Sequence, residues 1–211
     1  MASAIMHMAI SDRVLREFPE IDRKRFLLGS MLPDAAVGGN GHRKINVCNG
    51  TKKTYDFPGF REQFRGQLET DALYLGYYLH LVQDIVFRNF VYKIHHWNPL
   101  PEGNVERLHN DYAITNRYII ERYGLKPDIA LPDGIEKEPL FADCRFDFEG
   151  FLRNFRNYFT EQPDGEIYFF TKEMADECIG LCLKQCIAEV NALKAGTGYI
   201  DEIALAWNRQ A

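Results

Sequence analysis

The segment Gly76-Tyr-Tyr-Leu-His80-Leu-Val-Gln-Asp84 carries the residue types and spacing that could do chemistry. Positions four apart on a helix lie about 5–6 Å from each other at Cβ and point the same way, so the His80 imidazole and the Asp84 carboxylate converge. Zinc accepts nitrogen and carboxylate oxygen together, the imidazole giving a lone pair and the carboxylate part of the neutralising charge. Gly76 falls one turn earlier on that face, where the missing side chain leaves room for a neighbouring element or for a metal with its bridging water. The same two residues also suit a buried, hydrogen-bonded pair with no ion between them. What favours metal is the company they keep. His7 lies on an apolar helix, Asp34 directly after the Pro33 helix stop, and His42 just beyond a glycine-rich run that ends at Gly41.

The elements that must position these side chains read as helices. Residues 3 to 18 place Ile5, Met6, Ala9, Ile10, Val14 and Leu15 at helical spacing, and Pro19 closes the segment. A second helix is predicted from about Asp22 to Met31, followed by a pliable loop that carries Asp34 and His42. Thr70 and Asp71 can cap a third, almost apolar on every side and therefore central, which runs towards Trp97 and the Pro99-Leu-Pro101 stop. Further helices are predicted over about Val105–Tyr123, ending at Gly124, Asp147–Thr160 and Thr171–Lys194, with a Pro-rich connection over 126–139. A Pro163-Asp-Gly165 turn precedes the long helix, and a short helix ends the chain. No internal repeat or sustained β-type alternation is present, so the fold class is all-α. The 211 residues, 46% of them hydrophobic, are read as a single helical domain, with a metal-site half over about 1–125 and C-terminal helices over about 145–208.

Composition narrows the function classes. The net charge of -5 and pI of about 5.7 exclude a broad electropositive footprint for duplex nucleic acid or anionic membrane. The N-terminus has no basic region before its apolar residues, and Ser11-Asp-Arg13 interrupts them, so Met1 is read as the start of a cytoplasmic protein without a secretion signal. No apolar run approaches the roughly 18 residues of a membrane span. Five cysteines, an odd count, argue against a disulfide framework. Cys178, Cys182 and Cys186 share one helical face and read as small core residues, with soft metal ligation as the alternative. There is no GxSxG, Walker glycine loop, HExxH or GxGxxG followed by an acid, and nowhere are His and Asp adjacent. A di-iron bundle would need paired Glu-x-x-His helices, which are missing.

Taken in order, Met6-His7-Met8, Leu28-Gly-Ser-Met-Leu-Pro-Asp34, His42, Gly76 to Asp84 and Leu108-His-Asn-Asp-Tyr112 resemble the zinc-dependent phospholipase C family over about residues 1–125. That family shares its fold with single-strand-specific zinc nucleases, and the likeness is nearest to its small intracellular bacterial members of unassigned activity. The resemblance implies a helical bundle with a polymetal cleft. Asp34, His42, His80 and Asp84 would surround one zinc, and His7 with Asp84 would help hold another, Asp84 bridging the two. Members with known activity split phosphate esters, with paired ions binding phosphoryl oxygens and a metal-bound hydroxide as nucleophile. Asp34 would orient or deprotonate the attacking water.

Departures from the family pattern shape the expectation. Secreted members use a processed N-terminal residue as ligand, whereas here no signal precedes Met1. They also take a His shortly after HxxxD and a His-x3-Glu pair for a third ion. Here Ile-Val-Phe-Arg88 follows Asp84, and Ala113 stands four residues after His109. One or two divalent ions, zinc or another metal, are therefore expected. Asp111, with His109, is a sixth metal candidate or else a surface helix acid. Arg88, one turn past Asp84, would meet a substrate phosphate or pair with an acid. Phe148, Phe151, Phe155 and Phe159 suit the core or an apolar substrate pocket, and Tyr55, Phe57 and Phe60 could flank the cleft. The function expected is a metal-dependent phosphoester hydrolase, phosphodiesterase or phospholipase C-like, acting on a small-molecule or lipid phosphate ester. The alternative is a non-catalytic metal-binding or structural protein that keeps the bundle and the main site.

Overall fold

Most of the helices start where a short polar side chain takes up a backbone N–H that the first turn would leave unpaired. Ser3 accepts from Met6 at the head of α1 (Ala4–Glu17), Asp22 from Arg25 at α2 (Arg23–Met31), and Asp71 from Leu73 at α5 (Ala72–Arg88). Asp147 does so for α7 (Phe148–Thr160) and Thr171 for α8 (Lys172–Lys194). Gly124, at φ +62°, takes the left-handed conformation that ends α6 (Asn104–Tyr123). The computed structural model describes residues 2–208 apart from 143, 162 and 164. The expected start at Met1 and the middle of the Pro163-Asp-Gly165 turn lie outside the described residues.

The architecture is mostly helical, as predicted. Two short helices, α3 (Phe57–Gln63) and α4 (Arg65–Thr70), were not anticipated. α5 is the central element, buried from Leu73 to Phe87 save for Leu75, with α2 and α8 packed against it. α1 lies against α2 and α8, and α6 against α1 and α8. Beyond Arg88 the backbone widens into a π-type segment, Asn89–Ile94, closed by His95 N–H donating to Phe90 O at 3.0 Å.

α2 crosses α5 in main-chain contact. A Cβ added at Gly76 would overlap the carbonyl oxygen of Phe26 and reach within 2.9 Å of Ser30 N. One at Gly29 would overlap the carbonyl oxygen of Leu73. Of the two occupants suggested for the space at Gly76, the structure places a neighbouring helix there.

Short strands replace parts of the predicted loops. β1 (Ala36–Gly39) pairs antiparallel with β4 (Cys144–Phe146), while β2 (Lys44–Val47) and β3 (Lys52–Tyr55) form a hairpin that sets Lys44 opposite Tyr55. The predicted C-terminal helix is not formed among the described residues. Residues 201–206 make a turn, and β5 (Trp207–Asn208) then joins the free edge of β3. A buried carboxylate fixes this return: Glu189 accepts the N–H groups of Tyr199 (2.8 Å) and Ile200 (2.7 Å) and the Tyr78 hydroxyl (2.7 Å). No described helix is long and apolar enough to cross a membrane.

Candidate metal centre

Four separate pieces of backbone deliver the five residues of the site. α1 turns His7 inward, the turn following α2 presents Asp34, the approach to β2 presents His42, and α5 contributes His80 and Asp84. The α2/α5 crossing sets the spacing, because it brings the Ser30 carbonyl to 2.8 Å from His80 Nδ1. That carbonyl can only accept, so His80 carries its proton on Nδ1 and keeps a bare lone pair on Nε2.

That lone pair faces other potential ligand atoms. His80 Nε2 lies 3.3 Å from His42 Nε2, 3.8 Å from Asp34 Oδ1 and 3.7 Å from Asp84 Oδ2. His42 Nε2 lies 3.3 Å from Asp34 Oδ1 and 3.6 Å from Asp84 Oδ2. Zinc at about 2.0–2.1 Å from each of four ligands would have them roughly 3.3–3.4 Å apart. The separations of 3.3 to 3.8 Å are thus close to a tetrahedral shell. The other Asp84 oxygen, Oδ1, faces His7 Nε2 at 3.5 Å and accepts the Ala2 N–H at 3.1 Å. His7 Nε2 is fully buried without a hydrogen-bond partner, an arrangement that costs about 1–3 kcal/mol unless something fills it. Among the described residues, His7/His80/Asp84 and Asp34/His42/His80 are two groups whose ligand atoms could hold an ion. The donor set fits zinc.

Electrostatics favours the ligand-competent state of Asp34, Asp84 and His80 and opposes it at His7. Burial alone would raise both carboxylates, but neighbouring imidazoles outweigh it, so Asp34 titrates below its ordinary range and Asp84 well below. Burial and then the positive charge of a protonated His7 push His80 down to about 3. Burial also works against the charge on His7, yet the Asp84 carboxylate prevails and its pKa is raised. Burial holds the Tyr55 phenol protonated, and it donates to Asp84 Oδ2 at 3.3 Å. Access is one-sided: His7, His80 and Asp84 are fully buried, whereas the side chains of His42 and Asp34 remain 12% and 17% exposed.

The remaining candidates fall elsewhere. Asp111 is not in the cluster: its carboxylate accepts the N–H groups of Tyr168, Phe169 and Phe170 at 2.7–2.8 Å, pinning the segment that precedes α8. His109 is exposed. Arg88 stacks on Trp207 and Tyr92, its guanidinium carbon 4.3 and 5.0 Å from their ring centres. Phe155 is buried, with Phe151 and Phe159 half-buried against it, and Phe148 packs on Phe141 and Phe146. Cys178, Cys182 and Cys186 are buried free thiols in the core. Of the aromatic residues thought to flank the cleft, Tyr55 reaches it, while Phe57 and Phe60 pack against Tyr78. The residues missed were Gln83, behind His7, and Trp207, whose ring lies 5.1 Å from that of Tyr55.

Three buried or half-buried imidazoles and two carboxylates, gathered by a helical bundle, form a cluster that could hold divalent metal. The chain belongs to the zinc-dependent phospholipase C family, whose model matches residues 6–124, more than half its length and a span that includes the whole His/Asp cluster. Comparisons with curated proteins and with solved structures gave no significant match.

Proposed function

We propose that this protein is a metal-dependent phosphoester hydrolase in which Asp34, His42, His80 and Asp84 hold one zinc and His7 with Asp84 a second. The observation that carries the reading is the convergence of His80 Nε2, His42 Nε2 and the Asp34 and Asp84 oxygens at 3.3 to 3.8 Å, a spacing that a cation between them would fit. Family membership supports a phosphate ester as substrate. When bound, such ions lower the pKa of water and neutralise charge on phosphoryl oxygens.

The chain's own residues supply the rest. Asp34 stays ionised at the exposed edge of the cluster, where it would orient an attacking water and take its proton. Arg88 lies one turn past Asp84 with its guanidinium over the Tyr92 and Trp207 rings, and would meet a phosphate oxygen there. Tyr55 and the Ala2 N–H fix the two oxygens of Asp84. The burial of His7, His80 and Asp84 excludes bulk water from the inner side, so substrate would approach past His42 and Asp34.

A second reading is favoured by Asp111, whose carboxylate is engaged by three backbone donors and so does not replace the missing third-site ligands. On that reading the protein retains metal without efficient turnover. Two measurements decide. Elemental analysis of protein purified without chelators should give one or two zinc per chain, reduced in His80→Ala. Hydrolysis of an aryl phosphodiester and an aryl phosphomonoester with added zinc or manganese should follow, with Arg88→Met raising KM. Metal without turnover on either ester would support the non-catalytic reading, and absence of metal would overturn both.

A further inference from the structure

The stacked imidazoles of His7 and His80, 3.8 Å between ring centres and 19° between planes, both turn Nε2 towards carboxylates and Nδ1 away. What meets the two Nδ1 atoms differs. His80 Nδ1 finds a main-chain carbonyl, that of Ser30, placed by the path of α2. His7 Nδ1 lies 2.8 Å from the side-chain oxygen of Gln83, which is fully buried. The Gln83 amide nitrogen in turn lies 3.4 Å from Ser11 Oγ, and Ser11 Oγ lies 2.5 Å from Ser30 Oγ. A continuous buried chain therefore runs from His7 through Gln83, Ser11 and Ser30 to His80, joining α1, α5 and α2 behind the cluster.

Chemistry sets the direction of this chain. An amide oxygen only accepts and an amide nitrogen only donates. With the Gln83 oxygen at His7, the imidazole carries its proton on Nδ1 and its Nε2 lone pair stands beside Asp84. The amide nitrogen then donates to Ser11, and the Ser11 hydroxyl donates to Ser30. A reversed amide would force the His7 proton onto Nε2, 3.5 Å from Asp84 Oδ1, in place of the 2.8 Å contact at Nδ1. A glutamine achieves this without placing a third buried negative charge beside Asp34 and Asp84. α5 is apolar through most of this stretch, so a polar side chain here is costly unless every donor and acceptor is engaged.

We infer that Gln83 is the positioning residue for His7, holding it as the Nδ1–H tautomer with Nε2 directed at the Asp84 side, and that Ser11 and Ser30 lock the Gln83 amide in that orientation. Its consequence for metal binding rests on the proposal that His7 and Asp84 hold the second ion. Partners of this kind behind a ligating imidazole change metal affinity by about 10–100-fold.

The test uses the full chain after chelator treatment. Proton–nitrogen correlation spectra of the imidazoles, recorded at a pH where His7 is neutral, report which nitrogen of His7 is protonated, with the His7 signals assigned by their loss in His7→Asn. The expected wild-type form is Nδ1–H, lost in Gln83→Met, which keeps the length but removes the acceptor, and retained in Gln83→Glu, which restores it. Zinc titration by competition with a chromophoric chelator should show the weaker of two ions about 10–100-fold weaker again in Gln83→Met, with the tighter ion unchanged, and at least wild-type affinity for the weaker ion in Gln83→Glu, whose carboxylate restores the acceptor and adds negative charge. Ser11→Ala should fall between. A wild-type His7 protonated on Nε2, or equal losses in Gln83→Met and Gln83→Glu with no change of tautomer, would overturn the assignment and leave Gln83 as packing. One ion in the wild type with His7 as Nδ1–H would sink the second-ion reading alone, with Gln83's hold on His7 upheld.

Discussion

Replacing Asp84 by asparagine removes the one charge shared by both halves of the cluster while keeping its shape. In the native protein Oδ1 takes the Ala2 N–H at 3.1 Å and Oδ2 takes the Tyr55 hydroxyl at 3.3 Å. An asparagine would keep its oxygen at Ala2, because an NH2 there would oppose an N–H. Its NH2 would then face the nitrogens of His42 and His80, which lie 3.6 and 3.7 Å from Oδ2, and donate to the lone pairs that a cation would otherwise take. The variant should therefore fold and lose metal. Free zinc at a hundred times its Kd stabilises a binding-competent chain by about 2.7 kcal/mol. A chain of 211 residues shifts by roughly 2–4 °C per kcal/mol, so the wild-type Tm should rise by about 5–11 °C. Calorimetry of chelator-treated protein in zinc-buffered solution measures this. Asp84→Asn should show no zinc-dependent shift. A full shift in the variant, or none in the wild type at saturating zinc, would refute the reasoning.

Without metal, stability should fall as pH drops from 6.5 towards 4. The unfolded chain protonates His80 near 6.5 while the folded chain keeps it neutral down to about 3, through burial first and then repulsion from a protonated His7. The unfolded state then binds the extra proton, a slope of at most about 1.4 kcal/mol per pH unit. His7 acts oppositely: its raised pKa gives a contribution complete below 6.5 and lost above it, so it does not cancel the slope in this window. Below 3.8, protonation of Asp34 and Asp84 removes more. Urea titrations at several pH values check this, and a flat profile between 6.5 and 4 would contradict a neutral His80. Gly76→Ala should cost about 1–3 kcal/mol, because the added methyl overlaps Phe26 O and forces α2 outward. An unchanged urea midpoint would show that the crossing is looser than described. Asp111→Ala should cost about 2–3 kcal/mol by stranding backbone donors of residues 168–170, with metal content per chain unchanged. A drop in metal would make Asp111 a ligand after all.

Much of the helical frame is readable from local chemistry. Asp22, Asp71, Asp147 and Thr171 stand where a cap is needed, and Gly124 where a left-handed residue ends a helix. The β2–β3 hairpin escapes such reading. Its strands are four residues long, too short to establish a period, and its turn places Cys48 and Asn49 at φ +53° and +55° ahead of Gly50. β5 depends on a partner more than 150 residues away, so nothing local marks Trp207 as a strand residue. Within the site, the His80–Asp84 spacing carries its own geometry, and their convergence with His7, Asp34 and His42 was read from order and surroundings. Asp111 misled for the opposite reason: a helix acid beside a histidine looks like a ligand, and the backbone donors that hold it lie 57–59 residues further on. Gln83 did leave a signal, a polar residue inside an otherwise apolar stretch of α5, next to Asp84.

Because α2 and α5 touch through bare backbone at Gly29 and Gly76, the separation of the two helices does not depend on the volume of any side chain between them. The placement of His80 against the Ser30 carbonyl is therefore insulated from exchange of leucines, phenylalanines and cysteines elsewhere in the interior. Residues around the outer rim at Asp34 and His42 can drift to suit a different ligand while the inner histidine stays in register.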